Sequence, residues 1–177
     1  MRRFRVFVLL TAVLFPLPAF AASGPPQIAI VTNMGTIDVV LDPAHAPITV
    51  KNFLHLVDRK FFDGGTFFRS VPGFVIQGGN KARESDRDTQ ITLEPPAKTG
   101  LHNLDGSIAM ARTSDPNSAT SEFFIDDGDQ ARLDEPPGYA AFGHVTKNMD
   151  LVRKIARLPA QDQMLLVPVK IIRIRRI

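Results

Sequence analysis

A chain of 177 residues with 44% apolar and 22% charged side chains has enough hydrocarbon to fold around one core and too much to be disordered. It carries no cysteine, which excludes thiol catalysis, thiolate metal sites and disulfides. The formal charge of +3 comes from the first residues, since Met1 to Ala21 holds Arg2, Arg3 and Arg5 and no acid, and the remainder balances at zero; a nucleic-acid or anionic-membrane partner therefore has no support.

The three arginines precede an apolar run, Val6 to Leu17, broken only by Thr11 and Pro16, and Pro18 then leads into Ala19-Phe20-Ala21. This is the layout of a cleavable secretory signal peptide, and the run is too short to span a bilayer comfortably. The expectation is export, with 1–21 removed, 22–26 (ending Ser23-Gly24-Pro25-Pro26) as a linker, and one domain over 27–177. Gln27 to Thr32 and Thr36 to Leu41 read as strands joined by a hairpin at Asn33-Met34-Gly35. Ala46 to Val57 places Ile48, Phe53, Leu54 and Val57 at helical spacing, with Pro47 in the first turn. After the turn at Asp63-Gly64-Gly65 comes Phe67 to Gly79, FFRSVPGFVIQGG. Strict alternation puts Phe67, Arg69 and Val71 on one face of a strand. By pattern alone Arg69 is either an edge-strand cation reaching water or a group poised for a ligand.

Phe74 to Gln77 is a further strand. Asn80 to Asn103 is a long polar loop with a short strand-like piece at Ile91-Thr92-Leu93, and loops of this length commonly flank a site. Ser107 to Ala111, Phe123 to Ile125 and Ala140 to Val145 are short strands, Met149 to Leu158 is a second helix, and Val167 to Ile174 is a last strand. Many short strands with Gly- and Pro-rich turns and two lone helices point to a closed barrel. Phe53, Phe67, Phe68 and Phe123 are expected in its core. The C-terminal Lys170, Arg173, Arg175 and Arg176 alternate with apolar residues and read as a solvated strand face.

Familiar chemistries find no footing. His45, His55, His102 and His144 lie apart with no metal-binding spacing. Ser107, Ser118 and Ser121 lack a nucleophile-elbow frame, and Gly78-Gly79-Asn80-Lys81 lacks the end of a phosphate loop. Asp126, Asp127 and Asp129 around Gly128 are turn chemistry rather than a calcium loop. No metal and no cofactor are expected, so a reaction here would need neither these nor a nucleophile.

Four blocks then occur in order: FFRSVPGFVIQGG, Gly106 to Arg112 (GSIAMAR), Asn117 to Ile125 (NSATSEFFI), and Gly138 to Gly143 (GYAAFG). Together they resemble the cyclophilin family of peptidyl-prolyl cis-trans isomerases, its exported bacterial branch in particular, from about Gln27 to Ile174. The resemblance implies a mostly β fold, a closed eight-stranded antiparallel barrel capped by two α-helices. It implies Arg69 as the catalytic arginine with Gln77 orienting it. Phe74, Val75, Phe124 and Leu133 would receive the proline ring, and Ala111, Arg112, Tyr139 and Phe142 would line the groove along the bound peptide. The partners implied are proline-containing unfolded or flexible polypeptides, and the protein would be a periplasmic monomer. A non-catalytic peptide-binding chaperone on the same barrel is the other reading.

Some positions depart from the family pattern. Glu122 stands where glutamine is usual, and a carboxylate there could grip Arg69 in a bidentate pair, competing with substrate. Arg132 replaces a frequent tryptophan or phenylalanine, so weak cyclosporin binding is expected. Tyr139 replaces a histidine common outside bacteria, and Val75 is smaller than the frequent methionine.

Overall fold

The computed structural model describes residues 24–80 and 90–177; the signal-peptide reading at 1–21 and the stretch 81–89 lie outside the described residues. The strands are β1 (Gln27–Thr32), β2 (Gly35–Leu41), β3 (Thr66–Val71), β4 (Val75–Gly79), β5 (Ser107–Met110), β6 (Glu122–Asp126), β7 (Ala141–Lys147), a two-residue β8 (Ala160–Gln161) and β9 (Met164–Arg176). Going round, β1-β2-β7-β5-β6-β4-β3-β9 are antiparallel neighbours, and β9 pairs back onto β1 to close an eight-stranded barrel. Closure leaves no unpaired edge for aggregation. The short β8 lies outside the ring as a hairpin arm on the start of β9, which begins three residues earlier than expected.

The expected helices are α1 (Pro47–Asp58) and α3 (Met149–Ala156), and a one-turn helix α2 (Pro96–Thr99) comes between them. Helix α1 sends Phe53 into the barrel, where its ring stacks on Phe62 at 4.9 Å and meets Phe123 and Phe142 at 5.5 and 5.1 Å. Helix α3 adds Val152 and Ile155, both fully buried, to the same core. Two lone helices thus stop the barrel with hydrocarbon rather than leaving a channel.

The long loop is tied to this plug. Ala46 gives α1 no side-chain cap, and Glu94 does so from the loop. Its carboxylate accepts from the amides of Ile48 and Thr49 at 3.1 and 2.8 Å and from Thr49 Oγ1 at 2.7 Å. A negative charge satisfying free amides at a helix start is stabilising. Ile91 to Leu93, expected as strand-like, is not a strand. A hydrogen bond from the Ile91 amide to Ala119 O and one from the Leu93 amide to Asn117 Oδ1 hold it instead of a ladder.

One local feature decides where Arg69 points. The pairings of β3 with both β4 and β9 slip between Phe67 and Arg69. This β-bulge breaks the two-residue alternation. Phe67 faces the core, fully buried, and Ser70 is buried too, while Phe68 and Arg69 are half-buried. The expectation that Phe67 and Arg69 share a face is therefore wrong, as is a core place for Phe68. Gly78 sits opposite Phe67 because nothing larger fits: a β-carbon there would stand 2.6 Å from the Phe67 ring and 2.7 Å from Thr66 O.

Candidate active site

Beyond the bulge, alternation along β4, β6 and β5 separates the two faces of the barrel wall, and the β5–β7 pairing slips once more between Ile108 and Ala109. Ile76, Ile108, Met110, Phe123 and Ile125 belong to the inner core, whereas Val75, Ala109, Phe124 and Ala141 form a second cluster on the outside. The register aligns a single row across five strands: Arg69 opposite Gln77, Gln77 opposite Phe124, Phe124 opposite Ala109, and Ala109 opposite Ala141. The row is cationic and amide-bearing at its β3 end, aromatic in the middle and small at the far end. Small residues at the far end leave a hollow beside the Phe124 ring.

A cleft of about 270 Å³ lies over this row, lined by Arg69, Phe74, Val75, Gln77, Ala111, Arg112, Phe124, Leu133 and Tyr139. Nine of the eleven residues expected from the sequence are therefore brought together. Phe142 is not among them. Its neighbour Ala141 belongs to the outer cluster, whereas Phe142, the extra residue where the β5–β7 pairing slips, turns inward and is fully buried against Phe53. A contact between Phe142 and substrate is ruled out by that burial. Glu122 also stays off the cleft lining, two residues along β6 from the row.

The far wall comes from the segment after β6. A 3-10 turn, Ala131–Leu133, delivers Leu133, and Arg132 on the same turn is exposed. Tyr139 meets the Phe124 ring edge-on at 5.6 Å. Arg112 lies over the Tyr139 ring, its Cζ 4.4 Å from the centroid, and donates to Gly138 O at 3.2 and 3.1 Å and to Thr113 O at 2.8 Å. Arg112 thus clamps the wall, worth about 0.5–2 kcal/mol for the ring contact. Near Phe74, the Gly73 amide donates to Asp127 Oδ2 at 2.8 Å, and Gln130 Nε2 donates to Gly73 O at 3.0 Å.

At the β3 end, Arg69 Nη1 donates to Gln77 Oε1 at 3.1 Å, and Gln77 Nε2 donates to Glu122 Oε2 at 3.0 Å. The expected bidentate grip of Glu122 on Arg69 is absent. Gln77 stands between them, and Glu122 acts through it. A carboxylate only accepts, so it forces the Gln77 amide to turn its NH₂ toward Glu122 and its oxygen toward the guanidinium. Arg69 Nε and Nη2 also donate to Gln163 Oε1 at 2.9 and 2.6 Å. Nothing in the sequence pointed to Gln163, which lies 94 residues away. Its signal is weak: a polar residue at the tip of a two-residue hairpin.

Two carboxyl groups behind the far wall contrast in protonation. Burial pushes Asp134 up, but hydrogen bonds from Asn103 and His102 outweigh it and leave its pKa below the ordinary value. Asp126, fully buried on β6, has no hydrogen-bond partner for either oxygen among the described residues. Burial, helped by the charges of Asp134 and Asp105, pushes its pKa up to about 8.

The model of the cyclophilin-type peptidyl-prolyl cis-trans isomerases matches residues 27–176. The chain belongs to that family. Peptidyl-prolyl cis-trans isomerase A of Dickeya dadantii is 41% identical over 149 residues, which cover 82% of this chain and 78% of the relative. Peptidyl-prolyl cis-trans isomerase B of Escherichia coli is 38% identical over 131 residues, 70% of this chain and 80% of the relative. The solved structure of a Cryptosporidium parvum cyclophilin-type isomerase superposes with a TM-score of 0.76 at 23% identity, covering 86% of this chain and 97% of that one, and shows the shared fold. A second structure of the same protein was determined in the presence of the dipeptide Ala-Pro. The chain is accordingly a cyclophilin-type peptidyl-prolyl cis-trans isomerase with an eight-stranded barrel.

Proposed function

We propose that this isomerase works by twisting an X-Pro amide in the outer cleft, with Arg69 as its catalytic residue, on proline-containing segments of exported proteins. The observation that carries the reading is the shared row, which sets a guanidinium held on two sides beside an apolar hollow floored by Phe124. A prolyl ring seated on Val75, Phe124 and Leu133, with Phe74 at the mouth, would bury its hydrocarbon and hold one side of the bond still.

The chemistry needs no nucleophile. Amide conjugation sets a barrier of about 18–20 kcal/mol, and twisting localises the lone pair on the prolyl nitrogen. A cation near that nitrogen or the preceding carbonyl favours the twisted state over either planar one. A charge-assisted hydrogen bond contributes about 1.5–3 kcal/mol net, and each ~1.4 kcal/mol off the barrier is tenfold in rate. The dry cleft must therefore add to what Arg69 supplies. Of the five N–H groups of an arginine, three serve Gln77 and Gln163, and two remain for substrate.

The test is a protease-coupled assay on a short Ala-Pro peptide, comparing wild type with Arg69→Ala. Equal rates would favour a peptide-binding module over this mechanism. The assignment to exported clients rests on the basic and apolar residues of 1–21. N-terminal sequencing of the protein recovered from the periplasm tests it, and a retained Met1 would contradict it.

A further inference from the structure

The β8–β9 hairpin turns on Asp162 and Gln163, whose φ angles of 51° and 69° are both left-handed, the conformation of a type I′ hairpin turn. The tip is docked on β3. Gln163 O accepts from the Ser70 amide at 2.9 Å, and Met164 pairs with Arg69. This seating carries the Gln163 side chain onto the guanidinium, where Oε1 accepts from Nε and Nη2 at 2.9 and 2.6 Å. The Gln77 bond restrains the other terminal nitrogen. An arginine held only by Gln77 could still swing about that one bond, whereas acceptors on both sides fix the guanidinium plane. Gln163 is exposed and seals no core, so its contribution is to that orientation rather than to packing.

We propose that Gln163 is a positioning residue for Arg69. Its oxygen occupies the Nε and Nη2 side, fixes the plane, and leaves one N–H on each terminal nitrogen directed to substrate. This rests on the reading of Arg69 as the catalytic group. The hairpin, which contributes no lining residue to the cleft, thereby sets the angle at which the cation meets the prolyl bond.

The decisive variant is Gln163→Asn, because asparagine tolerates the left-handed backbone yet is one methylene too short to reach. Gln163→Ala is the second variant. Both are expected to lower kcat/KM on the Ala-Pro peptide by at least about tenfold, the loss falling on kcat, as removal of a hydrogen bond to a charged group predicts. Nitrogen-15 NMR of the arginine Nε–H groups gives a readout independent of turnover. In wild type the Arg69 signal should exchange slowly. In both variants it should exchange faster while the Arg112 signal, held by Gly138, stays as it was. Gln163→Glu, which restores an acceptor of the same length, should recover slow exchange. Unchanged kcat and unchanged Arg69 exchange would overturn the proposal. So would a rise in kcat/KM, which would make Gln163 a latch that substrate must displace. If Arg69→Ala is as active as wild type, the reading of Arg69 fails. If Arg69→Ala is inactive while the Gln163 variants keep full kcat, only the positioning role fails.

Discussion

At the β3 end of the groove, Arg69 keeps its place through side-chain hydrogen bonds of 2.6–3.1 Å to two glutamines, one of them exposed. At the β6 end, Val75 and Phe124 are buried and keep theirs through backbone register and apolar packing. The first half depends on a few polar atoms in correct order, and removing one loosens the rest. In the second half each residue is fixed by the ladder beneath it, so truncation costs area but leaves its neighbours aligned. Reactivity sits where order is cheapest to lose, and affinity where it is hardest to disturb.

The strongest way to break this contrast is Arg69→Ala. It should lower kcat/KM by about 10²–10³-fold, mainly through kcat, in line with loss of a group that stabilises developing charge. Arg69→Lys should recover little of this, since an ammonium lacks the planar fork that spans Gln77 and Gln163. Full activity in the lysine variant would show that a point charge suffices.

Next in size is Asp126, behind the apolar half. Below pH about 4 its carboxyl is protonated whether the chain is folded or not. Between 3.8 and about 8 the folded state keeps the proton that the unfolded state has lost. Stability therefore falls as the pH rises through that interval and the loss is complete above it. Urea unfolding at pH 5 and pH 8 should show wild type losing about 3 kcal/mol more than Asp126→Asn, at 1.36 kcal/mol per pKa unit. Parallel pH profiles for the two proteins would refute the buried-acid account.

Phe124→Ala should weaken substrate capture by about 30-fold, most of it in KM, from about 2 kcal/mol of lost apolar contact. The Arg69 Nε–H exchange should not change, because the ladder leaves Gln77 in place. A loosened Arg69 would mean that the two halves are coupled after all. Glu122→Gln should matter least, changing kcat/KM by no more than about threefold, since a glutamine oxygen can still accept from Gln77. A tenfold effect in either direction would show that the charge itself acts on Arg69.

Much of this was legible in the sequence because strands and turns are local. Alternation and Gly-Pro punctuation pointed to the barrel and both long helices, and the family resemblance carried by the four ordered blocks implied nine of the cleft residues. What alternation missed it missed for one reason: bulges and distant contacts are not periodic. Arg69 and Phe67 were expected on one face, and a single slipped pairing separated them. The resemblance implied a groove place for Phe142, but the slipped β5–β7 pairing turns it into the core while Ala141 joins the outer cluster. Glu94 capping α1 and Gln163 bonding Arg69 join residues 45 and 94 positions apart. A sequence offers no local trace of such pairs.

The closing of the ring through β1 and β9 also brings both ends of the barrel together, the Ile177 amide donating to Gln27 O at 3.0 Å. In the circular order β6 lies four strands from β1 by either route. A tether attached ahead of Gln27 or after Ile177 therefore leaves from the side opposite Phe124. Immobilised, fused or circularly permuted through those ends, the enzyme would keep its groove turned outward and open to a passing chain.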